Sequence, residues 1–188
     1  MEHEMKILGL AGSLRGASYN RALLRAALEL APGEVETEVF DSLGALPFYD
    51  GDVEESGNPA VIEDLRRAIA GADALLIVTP EYNGGMSGVL KNALDWASRG
   101  PVRLLAGKPV AVMGASPGRN GAQAGIDSVV HTARRTRSDV LDHVVAVPFA
   151  ADAFDENLSL VDARVRDEVS ALMAQLADRV RTSVALAA

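Results

Sequence analysis

Short apolar segments that alternate with helical patterns predict an α/β fold in which helices cover both faces of a parallel sheet. The strand-like segments are apolar on both faces, as in Ala74–Thr79 (ALLIVT), which is typical of buried parallel strands. The chain has 188 residues, a length that suits one continuous core. We therefore expect residues 1–188 to form a single domain.

The first third of the chain reads as strand, helix and strand. Lys6–Ala11 (KILGLA) is an apolar run, and Val35–Phe40 alternates apolar with polar residues, so both are predicted strands. Between them, Ser18–Leu30 is a predicted helix with apolar residues recurring on one face: Leu24, Ala27, Leu28 and Ala31. Asp41–Pro59 is rich in Gly, Pro, Asp and Asn, and it predicts an irregular surface loop near the site.

The same alternation continues through the rest of the chain. Ala60–Ala70 is a predicted helix that begins with a capping Asn58 followed by Pro59. The strands that follow are predicted at Ala74–Thr79, Pro109–Ala115 and Val144–Val147. The remaining helices are predicted at Ser87–Ser98, Gly121–Arg135 and Asp162–Thr182, the last from apolar residues spaced three and four apart.

Five such units predict the flavodoxin-like strand order 2-1-3-4-5, with ligands bound beyond the carboxyl ends of the strands. Three unusual segments follow the first, third and fourth strands: residues 12–20, 80–88 and 116–121. These strands are neighbours in that order, so the three loops converge on one mouth. The candidate site lies there.

Composition excludes several classes of function. The chain has no cysteine, so disulfides, thiolate nucleophiles and Cys-ligated zinc are excluded, and redox chemistry would need a bound cofactor. Its net charge of −8 disfavours nucleic-acid and membrane partners. His3, His131 and His143 show no metal-ligand spacing, so we predict no metal. Glu2 and Glu4 argue against a signal peptide, no apolar run is long enough to span a bilayer, and we expect a cytoplasmic protein.

The first loop has the chemistry of a phosphate site. It joins a strand to a helix, so its backbone N–H groups and the positive helix end point into it. Ser13, Ser18 and Asn20 add short polar groups, and Arg15 adds a guanidinium that grips phosphate through two N–H groups. The loop is neither a Walker A sequence nor G-x-G-x-x-G. A capped turn with a solvated arginine is the alternative.

The second and third loops suit a flat ligand. Tyr82 and Asn83 precede Gly84 and Gly85, so backbone can approach a ring edge while Tyr82 flanks the ring. The segment 116–121 is rich in glycine and less specific. Ordinary turns are the alternative for both loops.

The motifs of these loops resemble the NADPH-dependent FMN reductase family, which includes bacterial chromate and quinone reductases and related azoreductases. The resemblance covers roughly residues 6–121. It rests on three motifs: Gly12-Ser13-x-Arg15-x-x-Ser18-x-Asn20, Pro80-Glu81-Tyr82-Asn83 and Leu90-Lys91-Asn92-Ala93-x-Asp95-Trp96.

The resemblance implies a site for FMN with NADPH or NADH as substrate. It places the FMN phosphate on Ser13, Arg15, Ser18 and Asn20. It places the isoalloxazine against Pro80, Glu81, Tyr82, Asn83 and Gly84, with Ser116 near the other ring edge. No side chain is then a chemical catalyst, because the flavin carries the chemistry, and Tyr82 and Asn83 lie toward the substrate.

The resemblance also implies a homodimer or homotetramer. A wide apolar stripe on the third predicted helix, from Val89 to Ala97, supports an oligomer with Trp96 near the contact, although a deeply buried helix explains the stripe equally well. Where relatives often carry Leu-Arg in the following helix, this chain has Val129-Val130. Arg134, Arg135 and Arg137 lie further on, either as a solvated helix end or as contacts to the NADPH 2′-phosphate.

Three functions follow. The first is an FMN-dependent NAD(P)H oxidoreductase that reduces a small-molecule acceptor (a quinone, an azo compound, chromate or free flavin) by ping-pong hydride transfer. The second is a non-catalytic electron carrier of the flavodoxin type, although the Ser/Thr-x-Thr-Gly-x-Thr phosphate loop of such carriers is missing. The third is a flavin-free scaffold, against which Arg15 and Asn20 argue.

Overall fold

A computed structural model describes residues 5–187 of the chain. The predicted α/β architecture is confirmed. The strands are β1 (Met5–Ala11), β2 (Val35–Val39), β3 (Ala74–Val78), β4 (Pro109–Ala115), β5 (Asp139–Val140) and β6 (Val145–Val147). The helices are α1 (Tyr19–Glu29), α2 (Gly51–Ser56), α3 (Ala60–Gly71), α4 (Gly88–Ala97), α5 (Gln123–Arg135), α6 (Ala150–Ala153) and α7 (Ala163–Ala187).

All strand pairs are parallel, and the sheet has the order β2-β1-β3-β4-β5. The fifth position is divided between two short strands. β5 pairs with the start of β4 at Pro109 and Val110, and β6, the predicted fifth strand, pairs with its end at Met113–Ala115. β5 was not predicted, because a two-residue strand has no periodicity.

Side chains of each central strand alternate between two cores. On one face, Ile7, Leu76 and Met113 pack with α1 and α7. On the other face, Leu8, Leu75 and Val112 pack with α3, α4 and α5. This double burial explains why the strands are apolar throughout.

The segment predicted as irregular, residues 41–59, contains two short helices. A 3-10 helix spans Asp41–Ala45, and α2 follows with no buried side chain. α2 therefore has no apolar stripe that a sequence pattern would reveal. It is held instead by the Asp50 side chain, which accepts a hydrogen bond from the Asp52 N–H at 2.9 Å, and by Tyr49 Oη, which donates to Glu54 at 2.9 Å.

Two further expectations need correction. The N-cap of α3 is Pro59, and the Asn58 side chain does not cap the helix but donates to the Glu63 carboxylate at 2.6 Å.

The second expectation concerns the apolar stripe of α4. Trp96 is 1% exposed within its own chain, where it packs edge-on to Tyr49. The apolar stripe of α4 is thus covered by the chain's own core, which is the deeply buried alternative.

Residues 1–4 and 188 are not described, so His3, Glu2 and Glu4 lie outside the described residues. Within residues 5–187, no helix has the length and apolar composition needed to cross a membrane.

Candidate functional site

Three loops meet at the carboxyl edge of the sheet because β1, β3 and β4 are adjacent there. The loop after β1 is tied to β3 directly, since Gly12 N donates to Val78 O at 2.8 Å. The loop after β3 is tied to β4 by Thr79 N, which donates to Met113 O at 2.9 Å. The strand order thus brings together the loops that the sequence singled out.

The loop after β1 forms an open cradle at the start of α1. Ser18 is the N-cap, and its Oγ accepts hydrogen bonds from the N–H groups of Asn20 at 3.2 Å and Arg21 at 3.4 Å. Among the described residues, the backbone N–H groups of residues 13–18 donate no hydrogen bond. A strand-to-helix loop with free N–H groups fits an anion.

Arg15 is the basic side chain of this cradle. It is exposed, and its guanidinium donates to Ala17 O at 3.2 Å within the same loop. The guanidinium has no acidic partner among the described residues. It therefore keeps several N–H groups free for an anionic ligand.

Asn20 has a different environment from the rest of the loop. Its side chain is 5% exposed, and both polar atoms are bonded to Ala115: Nδ2 donates to the carbonyl oxygen at 2.9 Å, and Oδ1 accepts from the N–H at 2.8 Å. The amide thereby locks the start of α1 to the end of β4. It positions the cradle relative to the loop after β4.

The loop after β3 is a tight hairpin-like turn. Tyr82 and Gly85 exchange backbone hydrogen bonds of 2.9 and 3.2 Å, and Asn83 and Gly84 between them have φ of 52° and 77°. Positive φ at both central residues defines a type I′ turn, for which Asn-Gly is a preferred sequence. The turn leaves the Tyr82 side chain 53% exposed.

α5 supports this loop from behind. The Glu81 carboxylate accepts a hydrogen bond from Ala124 N at 3.0 Å, in the first turn of α5. A Cβ at Gly125 would lie 2.7 Å from the carbonyl oxygen of Pro80, so only glycine allows α5 to approach this closely. The Glu81 carboxylate thus stabilises the start of α5 and ties the loop after β3 to this helix.

A cavity of about 170 Å³ lies between the three loops. Eight of the predicted site residues line it: Ser13, Arg15, Ser18, Asn20, Pro80, Glu81, Tyr82 and Ser116. The predicted Asn83 and Gly84 do not line it, because they form the tip of the turn. Sequence reasoning missed Tyr19, Ala115 and Pro117, although each adjoins a residue that it did select.

A second cavity of about 330 Å³ adjoins the first, and Arg15 and Tyr82 line both. Its walls include Leu14, Val89 and Phe48, whose side chain is 85% exposed. Ser87, at the N-cap of α4, also lines it, and its buried Oγ has no hydrogen bond among the described residues. Phe48 was missed because it comes from the irregular segment after β2, which carries no motif.

A family model described as NADPH-dependent FMN reductase matches residues 5–152, most of the chain. The chain belongs to this family. An NAD(P)H-dependent FMN reductase of Pseudomonas aeruginosa is 41% identical over 175 residues, covering 89% of this chain and 90% of that protein. A quinone reductase of Escherichia coli K12 is 44% identical over 119 residues, which is 63% of each chain.

Structural comparison agrees with this membership in the FMN reductase family. FerB, a flavoenzyme NAD(P)H:(acceptor) oxidoreductase from Paracoccus denitrificans, superimposes with a TM-score of 0.86 at 28% identity, covering 95% of this chain and 98% of that one. The predicted flavodoxin-like fold and the predicted enzyme class are confirmed. The chain is an oxidoreductase of a family that works with FMN and NAD(P)H.

Proposed function

We propose that this chain is an FMN-dependent NAD(P)H:quinone oxidoreductase, with residues 1–188 as one FMN-binding domain. The observation that carries the proposal is the cradle after β1, whose N–H groups at residues 13–18 make no hydrogen bond among the described residues and whose Ser13, Arg15 and Ser18 line the cavity between the three loops. Bound FMN would accept hydride from NAD(P)H and deliver electrons to an acceptor. The chain's own residues bind and orient the reactants.

The cradle fits the phosphate end of FMN. The N-terminus of α1 carries a partial positive charge, and Ser18 holds the first turn in place by capping two N–H groups. Ser13 and Arg15 complete the donor set for phosphate oxygens. Because the chain has a net charge of −8, these local donors are needed to hold a phosphorylated ligand.

The turn after β3 fits the ring end. Pro80 and Tyr82 line the cavity opposite the cradle, and Ser116 lines it from the loop after β4. The backbone bonds between Tyr82 and Gly85 make this wall stiff. A stiff wall supports hydride transfer, which needs reacting atoms held about 3–3.5 Å apart.

The second cavity fits the substrates. Its apolar walls (Leu14, Phe48 and Val89) suit a flat aromatic acceptor or a nicotinamide ring. The nicotinamide and the acceptor would occupy this same cavity in turn, which is the basis for the ping-pong kinetics that we propose. The N-terminus of α4 at Ser87 favours an acceptor oxygen that gains negative charge.

A quinone is the acceptor that we favour, because the apolar cavity suits it and the E. coli relative is named a quinone reductase. Azo compounds, chromate and free flavin are further acceptors for the same cavity.

A homodimer or homotetramer and a cytoplasmic location stay predictions. A second copy would cover the exposed Leu14 and Phe48 beside the second cavity, and sedimentation with FMN bound tests this assembly.

Phosphate binding is tested by fluorescence titration with FMN and riboflavin. Arg15→Ala should weaken FMN binding by about 1.5–3 kcal/mol, the range for a charged hydrogen bond. Riboflavin lacks the phosphate and should bind poorly to both proteins. Arg67→Ala on α3 is the matched control, because exposed Arg67 pairs with Asp64 and lines neither cavity of the candidate site. Equal affinity of the wild-type protein for FMN and riboflavin would show that the cradle does not bind the FMN phosphate.

Turnover is tested by anaerobic stopped-flow mixing of the FMN-loaded protein with NADH or NADPH, followed by a small quinone. We expect direct bleaching of flavin absorbance within seconds, recovery on adding the quinone, and parallel-line steady-state kinetics. Tyr82→Ala should reduce turnover more than it reduces FMN retention. If neither nicotinamide bleaches the flavin but a separate reductase does, the protein is an electron carrier and the proposal fails.

A further inference from the structure

A further cavity, of about 550 Å³, lies away from the three loops. Arginines from several elements line it: Arg99 follows α4, Arg103 precedes β4, Arg135 ends α5 and Arg137 precedes β5. We call it the arginine cavity. It adjoins the end of the sheet where β4 begins, whereas the candidate flavin site lies where β4 ends. Seven residues of strand separate the two edges by about 20 Å.

Positive charge in the arginine cavity is largely unpaired. Glu54 is the carboxylate among its lining residues, and its Oε2 lies 3.9 Å from Arg99 Nε. Within residues 5–187, the guanidinium groups of Arg103, Arg135 and Arg137 make no hydrogen bond or ion pair. By contrast, Arg134 pairs with Asp142 at 3.0 Å. This local excess of positive charge contrasts with the chain as a whole, whose net charge is −8.

These guanidinium groups are not needed to complete the nearby helix ends. At the end of α4, the Trp96 carbonyl accepts from the Arg66 guanidinium at 3.4 Å, and Arg66 also donates to the Arg99 carbonyl. At the end of α5, the Arg134 carbonyl accepts from Arg137 N at 3.0 Å. The interpretation of these arginines as a solvated helix end therefore does not explain why they converge on one cavity.

One arginine is held in place by an aromatic ring. The Arg99 guanidinium carbon lies 4.5 Å from the centroid of the Tyr49 ring, within the range of a cation–π contact. Tyr49 is in turn fixed by its hydroxyl bond to Glu54 and by its edge contact with Trp96. Part of the cavity wall is thus preorganised.

We propose that the arginine cavity binds a phosphorylated small molecule of pyrophosphate to nucleotide size, at a site distinct from the flavin site. Guanidinium groups match phosphate oxygens through paired N–H donors. The volume of about 550 Å³ lies within the usual range for ligand pockets. This site is independent of the proposed reductase activity, because its residues line neither of the two cavities at the carboxyl edge.

Inorganic pyrophosphate is the probe, titrated by calorimetry into FMN-saturated protein without nicotinamide and at constant ionic strength. Saturating FMN keeps pyrophosphate out of the cradle after β1. We expect saturable binding with one site per chain. Affinity should fall at least about tenfold in the double variant Arg103→Gln/Arg135→Gln, since each charged hydrogen bond contributes strongly.

The matched control is Arg67→Gln/Arg164→Gln, which removes the same charge from exposed positions on α3 and α7. Its affinity for pyrophosphate should equal that of the wild-type protein. All variants should keep the wild-type circular dichroism and thermal midpoint, because the four positions are exposed.

Three results would overturn the proposal. The first is no saturable binding to the wild-type protein, and the second is an equal loss of affinity in both double variants, which indicates diffuse electrostatic attraction. The third is release of FMN by pyrophosphate, or an inhibition constant against NADPH equal to the dissociation constant for pyrophosphate. That result would place pyrophosphate in the flavin or nicotinamide site. If the reductase assay fails, the two binding comparisons and the release of FMN can still be measured, because none of them needs turnover.

Discussion

Replacing Asn20 with alanine separates two roles for its amide. The family resemblance assigns Asn20 to the FMN phosphate, whereas the structure occupies both of its polar atoms with Ala115, at 2.9 and 2.8 Å. A structural role predicts a loss of stability in the absence of flavin. A phosphate role predicts a loss of FMN affinity alone.

The magnitude follows from the groups left without partners. Ala115 is 2% exposed, so Asn20→Ala strands a buried N–H and a buried C=O at the end of β4. Each stranded group destabilises by about 1–3 kcal/mol. A water molecule that enters the vacated space would form hydrogen bonds to these groups and so reduce the loss of stability. We therefore expect the free energy of unfolding to fall by about 2–4 kcal/mol.

Urea denaturation of the flavin-free protein measures this change, with linear extrapolation to water. Asn157→Ala is the control, because Asn157 is exposed and its side chain makes no hydrogen bond among the described residues. The control should change the free energy of unfolding by less than about 0.5 kcal/mol. If Asn20→Ala changes stability as little as the control while FMN affinity falls, the structural argument is refuted.

Three further variants test the packing around the site. Gly125→Ala should lower the free energy of unfolding, measured in urea, by about 1–3 kcal/mol, because the new Cβ would lie 2.7 Å from Pro80 O. Gly118→Ala is the control and should leave it unchanged, because the atom nearest to its new Cβ lies at 3.5 Å. Trp96→Phe should lower the free energy of unfolding by about 1–3 kcal/mol, because it removes the partly buried hydrogen bond of 2.8 Å that the indole N–H donates to Pro47 O. The sedimenting mass should not change; a smaller mass would place Trp96 at a contact between copies. Burial lowers the pKa of Lys108, so the unfolded state binds this proton more tightly than the folded state does. The free energy of unfolding of the wild-type protein, relative to that of Lys108→Met, should therefore rise as the pH approaches 10.5. A difference that falls over this pH range contradicts the reasoning.

Most of the fold could be predicted because the strands are buried on both faces. Runs such as Ala74–Val78 and Pro109–Ala115 are apolar throughout, and their bounds agree with the prediction to within one residue. Elements that bury little were missed. α2 and β5 depend on a few hydrogen bonds between particular residues, which leave no periodic trace in the sequence.

The candidate site could be predicted as a set of loops, but not as a set of contacts. Which polar groups stay free depends on neighbours that are distant in the chain: Asn20 bonds to Ala115, and the Glu81 carboxylate bonds to Ala124. Phe48 reaches the second cavity from a segment without a motif. These contacts exist only once the strands have been placed side by side.

The amino-acid sequence by itself determined the α/β class, the strand order and the family, because apolar periodicity and local motifs are properties of contiguous residues. Tertiary structure alone decided which of the selected side chains line a cavity and which hold the loops in position. It also brought four arginines from separate elements around one cavity. The physical reason is that burial and hydrogen bonding depend on distances in space between residues such as Asn20 and Ala115, which lie 95 positions apart in the chain.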